Sequence, residues 1–422
     1  MQIDFRKADG IMDSTVGKYF IVMTTRNTVP RLYYFNALFD HRLGGYDTKN
    51  VAAAAAEMTT LFLPLGTRND RVLLDTVPND HFLEYLAGVN VETAAPLTKG
   101  EMASGYAGET WGWDIEAERR LESAGATCTR PGFEIVRKIN GRQFCRGLQD
   151  LLGLGVPGSS WYEEPGQAHE SVVRSKVFPL VIKPAFGSSG RGFILINGPD
   201  DLTAALYKKI EHLFANDGVI IEPWCRRIHD ISSSFRLDPG GAISNVRSCR
   251  CAVNDRGVFY GVYCGPDPVI DKWRDGLEPA VAAAAPLIHA EGYFGPVGFD
   301  SIVYADNEDR ESIALMIEIN GRHVISDIAH ALHGKMNRRG PSLFRFINRR
   351  HCRALPDNYG LMQTMFRNAG IGHDQVIPVT PLRVYDRESW KIPERNGFYI
   401  SASSPEELSV LDESVRHILS GI

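Results

Sequence analysis

Glu318-Ile319-Asn320-Gly321-Arg322-His323 closes the apolar run Ile313-Ala314-Leu315-Met316-Ile317, and its reading decides the fold. In a strand the side chains alternate between faces, so Glu318 and Asn320 point the same way. A carboxylate and an amide oxygen on one face, with the cation of Arg322 beside them, suit a Mg²⁺ ion that still carries phosphate oxygens. The plain alternative is a strand that ends in an Asn-Gly turn. Motifs elsewhere in the chain decide between the two.

The chain has 422 residues, 44% of them hydrophobic and 23% charged, an ordinary globular balance with ample material for a core. That length predicts roughly two or three domains or subdomains. A net charge of −5 and a pI of about 6.2 argue against a bulk electrostatic grip on nucleic acid. No apolar run approaches the roughly 18 residues of a membrane span. The start, Met1-Gln2-Ile3-Asp4-Phe5-Arg6-Lys7, does not resemble a secretory signal, since the first apolar run, Phe20-Ile21-Val22-Met23, is too short. Seven cysteines with no Cys-x-x-Cys pair read as reduced thiols, and the expected location is cytoplasmic.

The expected fold class is α/β, in four stretches. Residues 1–135 read as an α/β unit with strand runs at Tyr19-Phe20-Ile21-Val22-Met23, Thr60-Leu61-Phe62-Leu63 and Arg71-Val72-Leu73-Leu74. Helical spacing covers 80–87 and 114–124, the second closed by Gly125. In 136–225, Asn140 is placed to cap a helix whose stripe is Phe144, Leu148, Leu151 and Leu152. Strands follow at Leu180-Val181-Ile182-Lys183, Gly192-Phe193-Ile194-Leu195-Ile196 and Val219-Ile220-Ile221-Glu222, with a helix over 200–214. Residues 226–340 read as a mostly antiparallel sheet with strands at 232–237, 243–253, 257–263, 299–304 and 313–320. Residues 341–422 read as a mixed piece to which the sequence assigns no chemistry.

Three further motifs carry chemistry. In Val181-Ile182-Lys183-Pro184-Ala185-Phe186-Gly187-Ser188-Ser189-Gly190-Arg191-Gly192 a strand ends in a lysine, and a Gly/Ser loop leads to the next strand. Small residues let backbone N–H groups converge on an anion while the lysine supplies a point charge for phosphate. It is not a Walker A loop, because no Gly-Lys-Ser/Thr ends it. In Ile220-Ile221-Glu222-Pro223-Trp224 an apolar strand stops at an acid and a proline, so the backbone leaves the sheet extended. Such a segment offers hydrogen bonds to an adenine edge, and Asp230 is spaced to accept from ribose hydroxyls. In Gly298-Phe299-Asp300-Ser301-Ile302-Val303 a carboxylate interrupts an apolar strand, a cost that a metal or cationic partner removes. A glycine-rich hairpin, an ordinary strand end and a solvent-facing Asp are the respective plain alternatives.

The order of these motifs resembles the ATP-grasp superfamily across roughly residues 136–330. The resemblance implies two subdomains holding ATP between them, preceded by a Rossmann-like α/β domain over 1–135. The first subdomain would span 136–225, the second, with the metal site, 226–340, and a C-terminal α/β piece 341–422. By the resemblance, Lys183 contacts the ATP phosphates and Gly187, Ser188, Ser189, Gly190 and Gly192 belong to the loop that closes over them. Arg142 falls where many members carry a second phosphate-binding lysine. Glu222, Pro223 and Trp224 match the adenine hinge, Asp230 the ribose acid, and Arg236 an arginine that several members carry. Asp300, Glu318 and Asn320 match the Mg²⁺ ligands, two ions being expected and Mn²⁺ an acceptable substitute. Many members carry an arginine two residues before the first metal aspartate to hold a developing oxyanion. Here that residue is Gly298, so Arg322, Arg247 or Arg250 must serve.

The activity the resemblance implies is an ATP-dependent carboxylate–amine ligase that makes an amide or peptide bond through an acyl phosphate. Expected partners are small acids and amines, with amino acids or peptides foremost, and a homodimer is the default assembly. Arg322, Lys183 and Arg250 are the expected catalytic residues. Alternatives are a biotin-carboxylase-like enzyme, which shares the Glu-x-Asn-x-Arg pattern, and a non-catalytic ATP-binding regulator.

Overall fold

The computed structural model describes residues 29–421 apart from 79–80, 99, 188–191, 215–216, 255–256, 307, 337–338 and 386–388. The first sheet is parallel, in the spatial order Ala95–Pro96, Arg71–Leu73, Arg31–Tyr34, Ala107–Thr110. Helix Ile115–Ser123 packs on it and begins where Asp114 accepts a hydrogen bond from the Ala117 N–H. The run at Thr60 is not a strand. Met58–Phe62 is a 3₁₀ helix in which the Thr59 and Thr60 hydroxyls donate back to the carbonyls of Ala56 and Glu57. Such local bonds offer the backbone an alternative to a sheet ladder, and a short apolar run has no period to betray it. The run at Tyr19 lies outside the described residues.

Asn140 does not start a helix. It ends Phe133–Ile139, and Arg142–Leu152 begins from Gly141 with no side-chain cap. The Asn140 amide donates to the Val136 carbonyl at 2.8 Å, and its oxygen accepts from the Gly321 N–H at 3.0 Å. The helix thus becomes a brace for the turn at Gly321 that follows the Glu311–Asn320 strand. Phe144 and Leu148 are buried against the Glu311–Asn320 strand, and Gly153 closes the helix at φ 68°.

A second, antiparallel sheet has the order Ser160–Tyr162, Val219–Pro223, Leu180–Pro184, Ile194–Ile196. Its own core, including Ile182, Ile196 and Ile221, is closed by helices Pro165–Arg174 and Ala204–Leu213. The third sheet is antiparallel and eight-stranded, running Glu311–Asn320, Gly295–Ala305, Arg226–Leu237, Ile243–Val253, Phe259–Cys264, Ser342–Asn348, Arg395–Ser401, Val376–Pro378. Helix Pro268–Ala290 covers one face through Ile270 and Leu277, and Ile325–Lys335 crosses the other. The last three strands come from the C-terminal stretch and continue the same sheet. Among the described residues no helix is long and apolar enough to cross a membrane. All seven cysteines are free thiols.

Candidate active site

Residues opposite one another on antiparallel strands share a face. Asp300 stands opposite Glu318, and Gly298 opposite Asn320. The Asn320 amide donates to Asp300 Oδ2 at 3.3 Å. From the neighbouring sheet's side, the Arg142 guanidinium donates to Glu318 Oε1 at 2.6 Å and to the Pro184 carbonyl at 2.7 Å. One arginine therefore spans from the lysine strand to the metal-motif strand. A β-carbon at Gly187 would lie 2.7 Å from that guanidinium, so the loop's first glycine makes room for it. Gly192 closes the loop at φ 81°, while Ser188, Ser189 and Gly190 lie outside the described residues.

Lys183 forms an ion pair with Glu222, which is 2% exposed and also accepts from the Ser159 hydroxyl at 3.4 Å. A pocket opens over this pair, walled by Val156, Val181, Pro223, Trp224, Ile302 and Ile317 and flanked by Arg227. Apolar walls around a few fixed polar groups suit a flat heteroaromatic ring. The Trp224 ring stacks on Phe193 at 5.8 Å between centroids, and the Arg227 guanidinium lies 5.1 Å from it. Asp230 accepts from Arg227 at 2.9 Å. Burial pushes its carboxyl upward despite that cation.

A second pocket lies between Asp40, Leu43, Asn140, Phe186, Gly187, Glu318, Ile319 and Asn320. Asp40 was not visible in the sequence as a site residue. It sits on a five-residue helix, Phe39–Leu43, and meets Arg322 across 282 positions, Arg322 Nε donating to Asp40 Oδ1 at 2.8 Å. The Arg322 guanidinium also lies 5.0 Å from the Trp111 ring.

The structure does not bring Arg236 or Arg250 to these pockets. Arg236 donates twice to Glu109, both at 2.9 Å, within a network that also holds Arg31 and His323. Arg250 stands opposite Ile231, on the face covered by Pro268–Ala290, where it donates to Asp267 at 2.9 Å. Gly298 is closed to larger residues, because a β-carbon there would lie 2.5 Å from Val324 Cγ1. Arg247 shares a row with Gly298, since both stand opposite Ser234, and it is exposed with no ion pair among the described residues. Lys183, Glu222, Pro223 and Trp224 line the first pocket and Glu318 and Asn320 the second, with Asp300 opposite Glu318, Arg142 bound to Glu318 and Arg322 bound to Asp40.

Burial, reinforced by the charge of Glu318, pushes the Asp300 carboxyl up to about 7. Two carboxylates facing each other in one cleft, with an amide beside them, form an oxygen donor set that a hard divalent cation fits and whose repulsion it would remove. Among the described residues no group of three or more His, Cys, Asp or Glu side chains is arranged for a metal.

No protein-family model matches the chain. It is 28% identical over 167 residues to a biotin carboxylase of Nostoc sp., covering 38% of this chain and 37% of that one. It is 26% identical over 200 residues to the [butirosin acyl-carrier protein]–L-glutamate ligase of Niallia circulans, covering 46% and 45%. The chain spans no more than half the length of the curated relatives it matches. Among solved structures it is similar to the biotin carboxylase domain of Hydrogenobacter thermophilus 2-oxoglutarate carboxylase, in complex with MgADP, ADP and bicarbonate. The TM-score is 0.53 at 13% identity, with 92% of this chain and 89% of that one covered. An N5-carboxyaminoimidazole ribonucleotide synthetase in complex with ADP gives 0.51 at 14% identity, covering 94% and 98%.

Proposed function

We propose that this chain, which belongs to the ATP-grasp superfamily, is an ATP-dependent ligase that joins a carboxylate to an amine. The observation that supports the reading is the bridge from Arg142 to Glu318, which links the strand carrying Lys183 to the strand on which Glu318 stands opposite Asp300.

A carboxylate is a poor electrophile and must be activated before an amine attacks it. In-line transfer of the γ-phosphoryl group of ATP to a carboxylate oxygen gives an acyl phosphate and ADP. The amine nitrogen then attacks the carbonyl carbon, phosphate leaves, and the nitrogen gives up a proton. What the protein contributes to the first step is position and charge neutralisation. Lys183 exchanges its partner Glu222 for phosphate oxygens, and Arg142 meets the same charge from the other side. Val156, Val181 and Trp224 hold the base, with Asp230 within the same region for the ribose. Asp300, Glu318 and Asn320 would hold Mg²⁺, whose bound charge offsets that of the phosphates and orients them. Arg322, next to Asn320 in the chain by one glycine, is positioned for the developing oxyanion, a duty that Gly298 cannot take.

The substrates are most simply amino acids or short peptides, as an acyl-carrier protein–glutamate ligase is among the relatives. A second reading follows from the carboxylases among them: bicarbonate is the acid that the same chemistry activates, in a carboxyl-transfer enzyme. The test is ADP release by the full chain with ATP, Mg²⁺ and pairs of acids and amines, followed by product masses. Substrate-dependent ADP and a product whose mass is that of acid plus amine less one water support the ligase. Incorporation of labelled bicarbonate with no amide product supports the second reading.

A further inference from the structure

The cleft beside Glu318 holds a carboxylate that neither the nucleotide nor the ion requires. Asp40 reaches it from the N-terminal part of the chain, while Asp300 and Glu318 belong to adjoining strands of another sheet. Asp40 Oδ1 is taken by Arg322 at 2.8 Å, and Oδ2 has no hydrogen-bond partner among the described residues. The side chain is 23% exposed, so it is neither buried in a core nor free in solvent.

Its position is set from both sides. Arg137 donates to the Leu43 carbonyl at 2.7 Å, and the Tyr46 hydroxyl donates to the Phe186 carbonyl at 2.9 Å. The first contact ties the end of Phe39–Leu43 to helix Phe133–Ile139, and the second ties Tyr46, just beyond it, to the segment that follows the lysine strand. Arg322, held in addition over Trp111, fixes the rotamer of Asp40 from the metal-motif side. A carboxylate so held, lining the cleft with one oxygen uncommitted, favours a cation bearing N–H donors.

We infer that Asp40 recognises the ammonium group of the amine co-substrate, an inference that rests on the ligase reading above. Arg322 holds Oδ1 while Oδ2 accepts from the ammonium. The amine is thereby presented next to the end of the Glu311–Asn320 strand, where the acid is activated. The co-substrate class that follows is a primary amine protonated in solution, such as the α-amino group of an amino acid, in preference to an alcohol or a neutral amide nitrogen.

The test is calorimetric titration of the full chain, saturated with Mg·ADP, with a set of L-amino acid amides, which keep the ammonium and lack the carboxylate. At least one amide binds the wild type, Asp40→Asn weakens it at least tenfold, and Asp40→Glu, which keeps the charge, restores part of the loss. The affinity for Mg·ADP serves as the check on folding. No binding to the wild type, or equal binding to Asp40→Asn, overturns the inference. The ligase reading is scored separately on the wild type, by whether any acid with ATP and hydroxylamine yields a hydroxamate. An Asp40-dependent amide site without hydroxamate leaves the cation site standing and removes the ligase reading.

Discussion

Arg142 Nη2 lies 2.6 Å from Glu318 Oε1, which ties the first turn of helix Arg142–Leu152 to the end of strand Glu311–Asn320, 176 residues away. The contact holds both sides of the cleft in register before any ligand arrives. In the proposed ligase both partners would take up other work on binding, Arg142 with phosphate and Glu318 with the ion.

Glu318→Gln keeps the shape and a hydrogen-bond acceptor for Arg142 but removes the charge. The expected outcome is loss of substrate-dependent ADP formation, by a factor on the order of a hundred or more given the electrostatic share of such reactions, with an unchanged circular dichroism spectrum. Turnover within tenfold of wild type would exclude Glu318 from the metal site.

The Lys183–Glu222 pair is almost dry, with side-chain exposures of 16% and 3%. Lys183→Met strands the Glu222 carboxylate, and breaking a buried pair from one side costs about 3–5 kcal/mol. Urea unfolding should show that loss, and the double variant Lys183→Met with Glu222→Gln should recover most of it. A single variant as stable as wild type would mean that Glu222 is solvated by another route.

Gly298 tests why the expected arginine is missing. With Val324 Cγ1 only 2.5 Å from where a β-carbon would stand, Gly298→Ala should destabilise the chain by about 1–3 kcal/mol. Val324→Ala in the same chain should return part of the loss, because it opens the space that the methyl needs. Additive effects of the two substitutions would contradict this account of the position.

His323 joins Glu109 and Asp327, each at 2.9 Å. Burial opposes its charge, but hydrogen bonds to Asp327 and Glu109 outweigh burial and raise its value above the ordinary one. The folded state therefore holds the proton more tightly, and that stabilisation is complete below about pH 6.5 and fades as pH rises through the folded value. Burial of Glu109 is likewise outweighed, by Arg236, by the bond to His323 and by Arg31, so its carboxyl titrates well below its usual range. Its contribution is lost on the acid side instead. Urea unfolding of wild type and His323→Gln at pH 6 and pH 9 should show the stability gap narrowing at the higher pH.

The motif strands, the lysine strand and the strand ending at Glu222-Pro223 were legible because each is a short apolar run broken by one polar residue of special chemistry. Asp300, Glu318 and Lys183 announce themselves in that way, and cross-strand pairing then brings Asp300 and Glu318 together. Asp40 carries no such mark. It sits in a short helix and gains meaning only from Arg322, far along the chain. Asn140 looked like a helix start because an Asn precedes an apolar stripe, yet its neighbour Gly141 begins the helix while Asn140 serves Gly321. Arg236 and Arg250 were plausible by type, and only tertiary packing shows that Glu109 and Asp267 take them. The strands of residues 341–422 extend the large sheet through long-range pairing, which local pattern does not encode.

The most direct measurement of the central claim is transfer of oxygen from acid to phosphate. The full chain is supplied with ATP, Mg²⁺, an amine and an acid whose carboxylate carries ¹⁸O, and the released phosphate is weighed by mass spectrometry. Activation through an acyl phosphate predicts ADP together with phosphate that carries one ¹⁸O from the acid. Release of AMP and pyrophosphate, or phosphate free of the label despite product formation, would contradict the account.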